Sequence, residues 1–304
     1  MNTSAECIPS APRRNLFLWP LRMPQTCASE ECTRAYNLWR RIVDRTPDLL
    51  FRGARLCFPD CFERELLRHL ELLSSSTATS AVLRPSRRIP VGLLMLSRGT
   101  ITNEQLRRAL DEQRQTGTGR IGEWLNRLGF VRERDITAAL AMQWSCPQIR
   151  KLPPMTHKFG VPVYLLQKFR MAPVYFSRAR ATLYIAFANE IAYSVLVSIE
   201  QMLQVKTQVC LTTEPELEAA LACAEEMKLP GEKLFENSRG LGEMVRVISG
   251  YAEKFRGSEV RLTVCGDYFW ARILAAADAV DLIFSRKACA HRSGLAELSH
   301  WVNQ

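Results

Sequence analysis

Residues 90–113 read PVGLLMLSRGTITNEQLRRALDEQ, and residues 120–143 read RIGEWLNRLGFVRERDITAALAMQ. The second stretch repeats the first at a constant offset of 30 residues. The matched pairs are Gly92 with Gly122, Gly99 with Gly129, Ile101 with Val131, Leu106 with Ile136, Ala109 with Ala139, Leu110 with Leu140, and Gln113 with Gln143. Self-similarity at one fixed spacing marks a duplicated supersecondary unit.

Each copy is predicted to be a helical hairpin, because its apolar residues recur at helical spacing. Gly99 ends the short opening helix of the first copy. Thr102 and Gln105 then form a capping box, which begins the second helix. Two such hairpins bury their apolar faces against each other as a four-helix bundle, which we predict for residues 89–149.

The repeat resembles the MshEN domain, the N-terminal module of type II secretion and type IV pilus assembly ATPases. In that family two tandem motifs bind cyclic di-GMP, so the resemblance implies a ligand site here. The second copy has the family residues Arg120, Ile121, Gly122, Leu125, Gly129, Val131, Ile136, Leu140 and Gln143, with polar Asn126 at a usually apolar position. The first copy has Gly92, Gly99, Ile101, Leu106, Leu110 and Gln113, but Pro90 in place of the arginine.

The chemistry of a cyclic dinucleotide explains why these residue types suit it. A guanidinium group stacks on a purine and donates in a fork to the guanine O6 and N7 atoms. A neighbouring glycine lets the backbone approach the ligand, and a glutamine amide both donates and accepts. Pro90 has no side-chain donor, so the first motif loses its main polar contact; Arg87 or Arg88 could substitute from upstream.

A purely structural interpretation of the same residues also stands. Any duplicated helical hairpin needs glycines and leucines at repeated spacing for packing, and a terminal glutamine can be a solvated helix end. Two function classes therefore compete. The first is a non-catalytic receptor module that binds cyclic di-GMP weakly through its second motif. The second is a protein-interaction adaptor of a secretion or pilus machine with a decayed nucleotide site.

The charge of the chain is basic, with 41 Lys and Arg against 31 Asp and Glu. The first 150 residues contain 23 arginines and 15 acidic residues. This excess of positive charge in the first half of the chain suggests that it binds an anionic partner. However, no helix-turn-helix, zinc-finger or aromatic single-strand motif accompanies it, so a nucleic-acid partner is disfavoured.

Ten cysteines are expected to be thiols, because the chain has no signal-peptide core and no membrane-spanning apolar run, which predicts a cytoplasmic location. Cys27 and Cys32, then Cys57 and Cys61, lack the C-x-x-C spacing of a zinc ribbon. We expect no metal site and no cofactor, with these four residues acting as small buried apolar side chains. In the alternative, Cys57 and Cys61 share a helix face and bind a metal together with the first pair.

The flanking segments give the remaining organisation. Residues 1–26 resemble a loose leader, and residues 27–88 are predicted to hold two helices, Glu31–Leu49 and Asp60–Leu73, followed by a linker from Ser74. Residues 150–227 are predicted to form a small α/β domain, with Pro173 before its first strand. Residues 228–304 are predicted to form a linker, a helix and strands. The fold class is thus α+β.

The sequence lacks the motifs that catalysis would need. No G-x-x-x-x-G-K-[ST] loop occurs for a triphosphate, and the four histidines stand in no nucleophile or metal pattern. We therefore expect that the chain is neither an ATPase nor another enzyme. Its expected partner is a protein of a secretion or pilus machine.

Overall fold

The computed structural model describes residues 27–32, 48–75, 88–153, 159–226, 231–276 and 278–286. These residues form two compact units. The first, called here the repeat unit, comprises the described residues from 88 to 226. The second, called the split unit, comprises those from 27 to 75 and from 231 to 286, so it is built from two separate stretches of chain.

The structure contains helices and two sheets of mixed strand direction, which confirms the predicted α+β class. A short 3-10 turn covers Arg178–Arg180. In chain order the elements are β1 (Asp48–Phe51), β2 (Ala54–Cys57), α1 (Asp60–Ser75), α2 (Val91–Ser97), α3 (Asn103–Thr116), α4 (Ile121–Arg127), α5 (Glu133–Gln143), α6 (Val163–Lys168), β3 (Met171–Ser177), β4 (Thr182–Phe187), α7 (Tyr193–Leu203), β5 (Lys206–Leu211), α8 (Glu214–Glu226), β6 (Glu232–Phe235), α9 (Leu241–Lys254), β7 (Glu259–Cys265), β8 (Tyr268–Leu274) and β9 (Ala279–Ser285).

The duplicated sequence forms the predicted pair of helical hairpins. Helices α2 and α3 belong to the first copy, and α4 and α5 to the second. The main contacts of α2 are with α5 and those of α3 are with α4, so each copy covers the apolar face of the other. The shared core consists of Met95, Ile101, Leu106, Ala109, Leu125, Val131 and Ala139.

Local hydrogen bonds set where these helices begin and end. The backbone N–H of Gln105 donates to Thr102 Oγ1 at 3.2 Å, and the backbone N–H of Thr102 donates to Gln105 Oε1 at 2.9 Å, as the capping box predicts. Gly99 and Gly129 follow the two short helices with φ of +70° and +71°. Residues other than glycine rarely adopt this left-handed backbone conformation, which explains why a glycine occupies both positions.

A small α/β layer completes the repeat unit. Its sheet has the strand order β3-β4-β5, with β3 antiparallel and β5 parallel to β4. The predicted order of helices and strands is confirmed, but Pro173 lies inside β3, not before it. An edge strand tolerates proline because one side of it needs no ladder donor, and the register shifts just after Pro173.

The split unit is a six-stranded sheet covered by two helices. The strand order is β2-β1-β7-β8-β9-β6; β1 and β7 are parallel, and β7, β8 and β9 form an antiparallel meander. Helices α1 and α9 pack on each other and on this sheet. The largest fully buried core side chains include Phe62, Leu66, Leu70, Phe269 and Phe284. Sequence segments that we treated as separate, 27–88 and 228–304, thus share one sheet in their described parts.

Two predictions in this region need correction. The helix predicted for Glu31–Leu49 is wrong at both of its described ends, because Glu31 lies in a turn and Leu49 lies in β1; residues 33–47 lie outside the described part. Leu49 and Phe51 are both buried, which is the alternation of a strand with one face on the core. The part of segment 228–304 that precedes α9, where we predicted only a linker, contains β6, which pairs in parallel with β9. The helix predicted for Asp60–Leu73 is confirmed and continues to Ser75.

No helix in the described ranges combines enough length with enough apolar character to cross a membrane.

Candidate ligand site in the repeat

The terminal glutamines of the two copies close the bundle reciprocally. Gln113 Nε2, at the end of the first copy, donates to the carbonyl oxygen of Gly119 at 2.8 Å. Gln143 Nε2, at the end of the second copy, donates to the carbonyl oxygen of Ile89 at 2.6 Å. Gly119 directly precedes the first residue of the second copy, and Ile89 directly precedes the first residue of the first copy. Each glutamine therefore fixes the backbone at the start of the other copy.

These contacts define two equivalent places in the bundle. We call the first the Arg120 junction; it contains Gln113, Gly119 and Arg120. We call the second the Pro90 junction; it contains Gln143, Ile89 and Pro90. The sequence motif groups Arg120 with Gln143, but the structure places Gln113 beside the backbone that leads into Arg120. This exchange follows from the packing of α3 on α4, which sequence spacing within one copy does not reveal.

At the Arg120 junction, the guanidinium group is exposed and held by two acceptors of the α/β layer. Arg120 Nη1 donates to the carbonyl oxygen of Asn189 at 3.0 Å, and Nη2 donates to Glu190 Oε2 at 3.0 Å. The side chains of Arg120 and Glu190 are 57% and 78% exposed. An ion pair with this exposure contributes about 0–1 kcal/mol to stability. A ligand can therefore replace Glu190 at the guanidinium group at little cost.

Asn189, whose backbone carbonyl accepts a hydrogen bond from Arg120, belongs to a wider polar network. Asn189 Nδ2 donates to Glu214 Oε2 at 2.7 Å, and the backbone N–H of Glu214 donates to Glu133 Oε1 at 2.7 Å. Arg170 in turn forms an ion pair with Glu214. Because Glu133 is the first residue of α5, the second copy contacts the α/β layer at the starts of both its helices. Sequence reasoning missed these partners, which lie far from the repeat in sequence and follow no periodic pattern.

At the Pro90 junction the nearby cationic group is that of Arg88, because Pro90 itself has no polar side chain. Pro90 occupies the N-cap position of α2 with φ of −52° and ψ of 139°, and its side chain makes no capping bond. The guanidinium group of Arg88 lies over the Trp144 ring, 4.9 Å from its centroid. Trp144 stacks on Tyr193 with 6.4 Å between ring centroids, and its Nε1 donates to Gln143 Oε1 at 2.9 Å. Arg88, one of the two upstream arginines considered above, thus reaches this junction, whereas Arg87 lies outside the described residues.

The glycines that begin the two short helices have packing roles. A Cβ atom on Gly92 would lie 2.8 Å from Leu106 Cδ1, and one on Gly122 would lie 3.0 Å from Ile136 Cγ2. In both copies the glycine therefore allows the first helix to approach the second helix closely. This contact accounts for Gly92 and Gly122 without any ligand.

The predicted apolar site residues divide by burial. Leu106, Leu125 and Val131 are buried in the bundle core and offer no surface to a ligand. Partly buried side chains pack against that core and comprise Leu110, Ile121 and Ile136; Leu140 is also partly buried. Exposed large apolar side chains in or next to the Pro90 junction include Ile89, Leu93 and Met142, which the motif did not single out. In sequence they lie beside the Pro90 junction and not beside Arg120.

Among the histidines, His69 alone falls in the described ranges, and it lies in the split unit. Its ring packs edge-on against Phe51 with centroids 5.8 Å apart, and Nδ1 lies 3.3 Å from Arg52 Nη1. Burial lowers the pKa of His69, and the positive charge of Arg52 acts in the same direction. His69 therefore acts as a packing residue of α1.

No family model and no curated protein matches the chain. Among solved structures, the chain is similar to a structure of MshE with cdg at 24% identity, covering 44% of this chain and 98% of that one with a TM-score of 0.37. It is also similar to the N-terminal domain of XpsE in two crystal forms, at 20% and 21% identity, covering 44% and 42% of this chain and 92% and 89% of those chains, with TM-scores of 0.33 and 0.26. Each of these likenesses spans less than half of the chain. At these identities and TM-scores the matches carry no conclusion about ligand or activity.

Proposed function

We propose that the chain is a non-catalytic regulatory module that binds cyclic di-GMP weakly at the Arg120 junction. The observation that carries this proposal is the Arg120 guanidinium group, which is exposed at the start of α4 and is held only by a surface carboxylate and one backbone carbonyl among the contacts described. A fork of donors in this state can exchange Glu190 for the O6 and N7 atoms of a guanine.

The surroundings of Arg120 support the same interpretation. Its backbone N–H lies 3.4 Å from Glu123 Oε2, and the preceding carbonyl is held by Gln113, so the start of α4 is fixed before a ligand arrives. A preorganised site loses less entropy on binding than a mobile one. A dinucleotide with two phosphates also suits the basic first half of the chain.

The test is isothermal titration of the full chain with cyclic di-GMP, comparing wild type with Arg120→Ala. The matched control is Arg107→Ala, which removes an equal charge from the exposed face of α3. Loss of a bidentate contact should weaken binding by about 1–3 kcal/mol, roughly five- to 150-fold, whereas the control should bind as wild type does. Equal affinity of wild type and folded Arg120→Ala would contradict the site.

The second candidate function is the adaptor, and a specific observation favours it. The glycines of the motif pack against neighbouring side chains, and both terminal glutamines bind backbone carbonyls, so each has a structural reason to be present. The adaptor would dock to a secretion or pilus protein in the predicted cytoplasmic location and would bind no nucleotide. Absence of any heat of binding with wild type at millimolar cyclic di-GMP would favour it.

A further inference from the structure

Four cysteine thiols from three segments meet in the split unit. Cys27 and Cys32 lie in the short segment 27–32, Cys57 is the last residue of β2, and Cys61 lies in the first turn of α1. Their four Sγ atoms all lie within 4.8 Å of one another, and those of Cys32 and Cys57 are 3.8 Å apart. The remaining described cysteines, at positions 146, 210, 223 and 265, do not belong to this group.

Backbone hydrogen bonds hold the three segments in place around the sulfur atoms. The N–H of Ala28 donates to the carbonyl oxygen of Arg55 at 2.9 Å, which fastens segment 27–32 beside β2. The N–H of Cys32 donates to the carbonyl oxygen of Ser29 at 3.2 Å and closes a turn between the first two thiols. Cys57 and Cys61 are brought together by the turn that joins β2 to α1.

The dimensions of the cluster suit a single tetrahedral metal ion. Zinc binds thiolates at about 2.3 Å, so the sulfur atoms of a tetrahedral site lie about 3.8 Å apart. The Cys32–Cys57 separation has this value, and no pair needs to move by more than about 1 Å to reach it. The spacings Cys27-x4-Cys32 and Cys57-x3-Cys61 both have the two to four intervening residues common in structural zinc sites.

Two features of the fold around the cluster suit thiolate ligands of a bound cation. The backbone N–H of Cys57 points to Cys27 Sγ at an N···S distance of 3.3 Å, and such bonds to a ligand sulfur stabilise its negative charge. Cys61 lies at the N-terminal end of α1, where the helix dipole also stabilises a thiolate. A set of four soft thiolates selects zinc over magnesium or calcium.

Two other interpretations of the cluster explain less. Isolated buried cysteines behave as small apolar residues, but that role does not require four thiols to meet at one point. A disulfide needs sulfur atoms about 2.05 Å apart, and Cys32 and Cys57 are 3.8 Å apart. Iron–sulfur clusters place several ions between their ligands and need wider separations than one metal ion does.

We propose that Cys27, Cys32, Cys57 and Cys61 bind one Zn²⁺ as four thiolates. Four protein ligands leave no open position, so the ion is structural and not catalytic. Its role is to fasten segment 27–32 to β2 and α1, at the edge of the sheet formed by the two separated parts of the split unit. This site reverses the expectation from sequence that the four cysteines are only small apolar residues, and it is independent of the ligand proposed for the repeat.

The first test measures metal in the full chain. Protein purified without added chelator should contain about one zinc per chain by elemental analysis, and native mass spectrometry should show the same stoichiometry. Exchange for Co²⁺ should give the visible absorption bands of a tetrahedral tetrathiolate site, which reports the ligand set without any variant. Absence of zinc together with no cobalt spectrum, a disulfide among these residues, or the colour and iron content of an iron–sulfur cluster would each overturn the proposal.

The second test uses paired variants. Cys57→Ser and Cys61→Ser should each lose the metal, and a strong chelator should lower the melting temperature of wild type but not that of the variants. Cys265→Ala is the matched control, because Cys265 is buried in β7 of the same unit but lies outside the cluster. It should keep its zinc. Retention of stoichiometric zinc in folded Cys57→Ser and Cys61→Ser would show that the ion binds elsewhere.

Discussion

The Arg120 and Pro90 junctions are equivalent positions in the duplicated structure, yet they present different chemistry. In both, a glutamine side chain from one copy donates to the backbone carbonyl just before the other copy begins. At one junction the next residue is an exposed arginine paired with Glu190. At the other it is a proline, and the nearby cation, Arg88, rests on the face of Trp144. The features that the junctions share are therefore those of packing, and the features that differ are those available to a ligand.

This difference separates the residues of the motif by role. Gly92 and Gly122 allow close helix approach in both copies, and the two glutamines close both junctions. These shared roles need no ligand. Arg120 has no counterpart at the same position in the first copy, so it is the residue that distinguishes a ligand site from packing. Variants made in matching pairs across the two copies can test that separation.

The largest effect is expected from the paired core positions Met95 and Leu125, which lie 30 residues apart and are almost completely buried. Met95→Ala and Leu125→Ala should each lower the free energy of unfolding by about 2–5 kcal/mol, measured by urea denaturation. Because both side chains belong to one shared core, the double variant should deviate from additivity. Two independent, additive losses would contradict a single bundle core.

The bundle was predictable from sequence because its determinants are local. Helical spacing, the capping box of Thr102 and Gln105, and the left-handed positions of Gly99 and Gly129 act within a few residues. Duplication then indicated the partner, since each hairpin has the apolar face that the other needs. The small α/β layer was also predictable, because the alternation of apolar and polar residues in its strands is a local pattern.

The split sheet was not predictable in the same way. Its pairing of Leu50 and Phe51 with Glu259 and Val260 joins residues about two hundred positions apart, and nothing local in a four-residue strand indicates such a partner. A separation of 70 residues likewise hid the ion pair of Arg120 with Glu190. The cysteine spacing suggested a metal site only as an alternative, because the convergence of the four thiols depends on the fold of segment 27–32 beside β2.

The next prediction concerns the residue that distinguishes the junctions. Pro90→Arg should be accepted by the fold, because Pro90 and Arg120 both have extended backbone conformations and both of their carbonyls accept a bond from the first turn of the following helix. If the Pro90 junction can then bind a guanine, affinity for cyclic di-GMP should rise by about 1–3 kcal/mol, roughly five- to 150-fold, in titration calorimetry.

Ser97→Arg provides the control for Pro90→Arg, since it adds the same charge to an exposed position of the same helix. It should leave affinity nearly unchanged. A gain of similar size in both variants would reduce the effect to general electrostatic attraction. A stable Pro90→Arg protein with no gain would instead mean that the junctions differ by more than this one residue, and would favour the adaptor.

The smallest effects should come from the two glutamines, and they decide which glutamine belongs to the ligand site. Gln113→Ala and Gln143→Ala each remove a bond to a backbone carbonyl, which should cost about 0.5–1.5 kcal/mol of stability. Gln143→Ala should cost somewhat more, because Trp144 Nε1 also loses its acceptor. For cyclic di-GMP binding the order should reverse. Since Gln113 fixes the backbone before Arg120, Gln113→Ala should weaken binding more than Gln143→Ala does, when affinities are compared by titration and corrected with parallel melting curves. If Gln143→Ala alone weakened binding, the ligand would follow the grouping of the sequence motif, and the exchange of partners between the copies would have no part in the site.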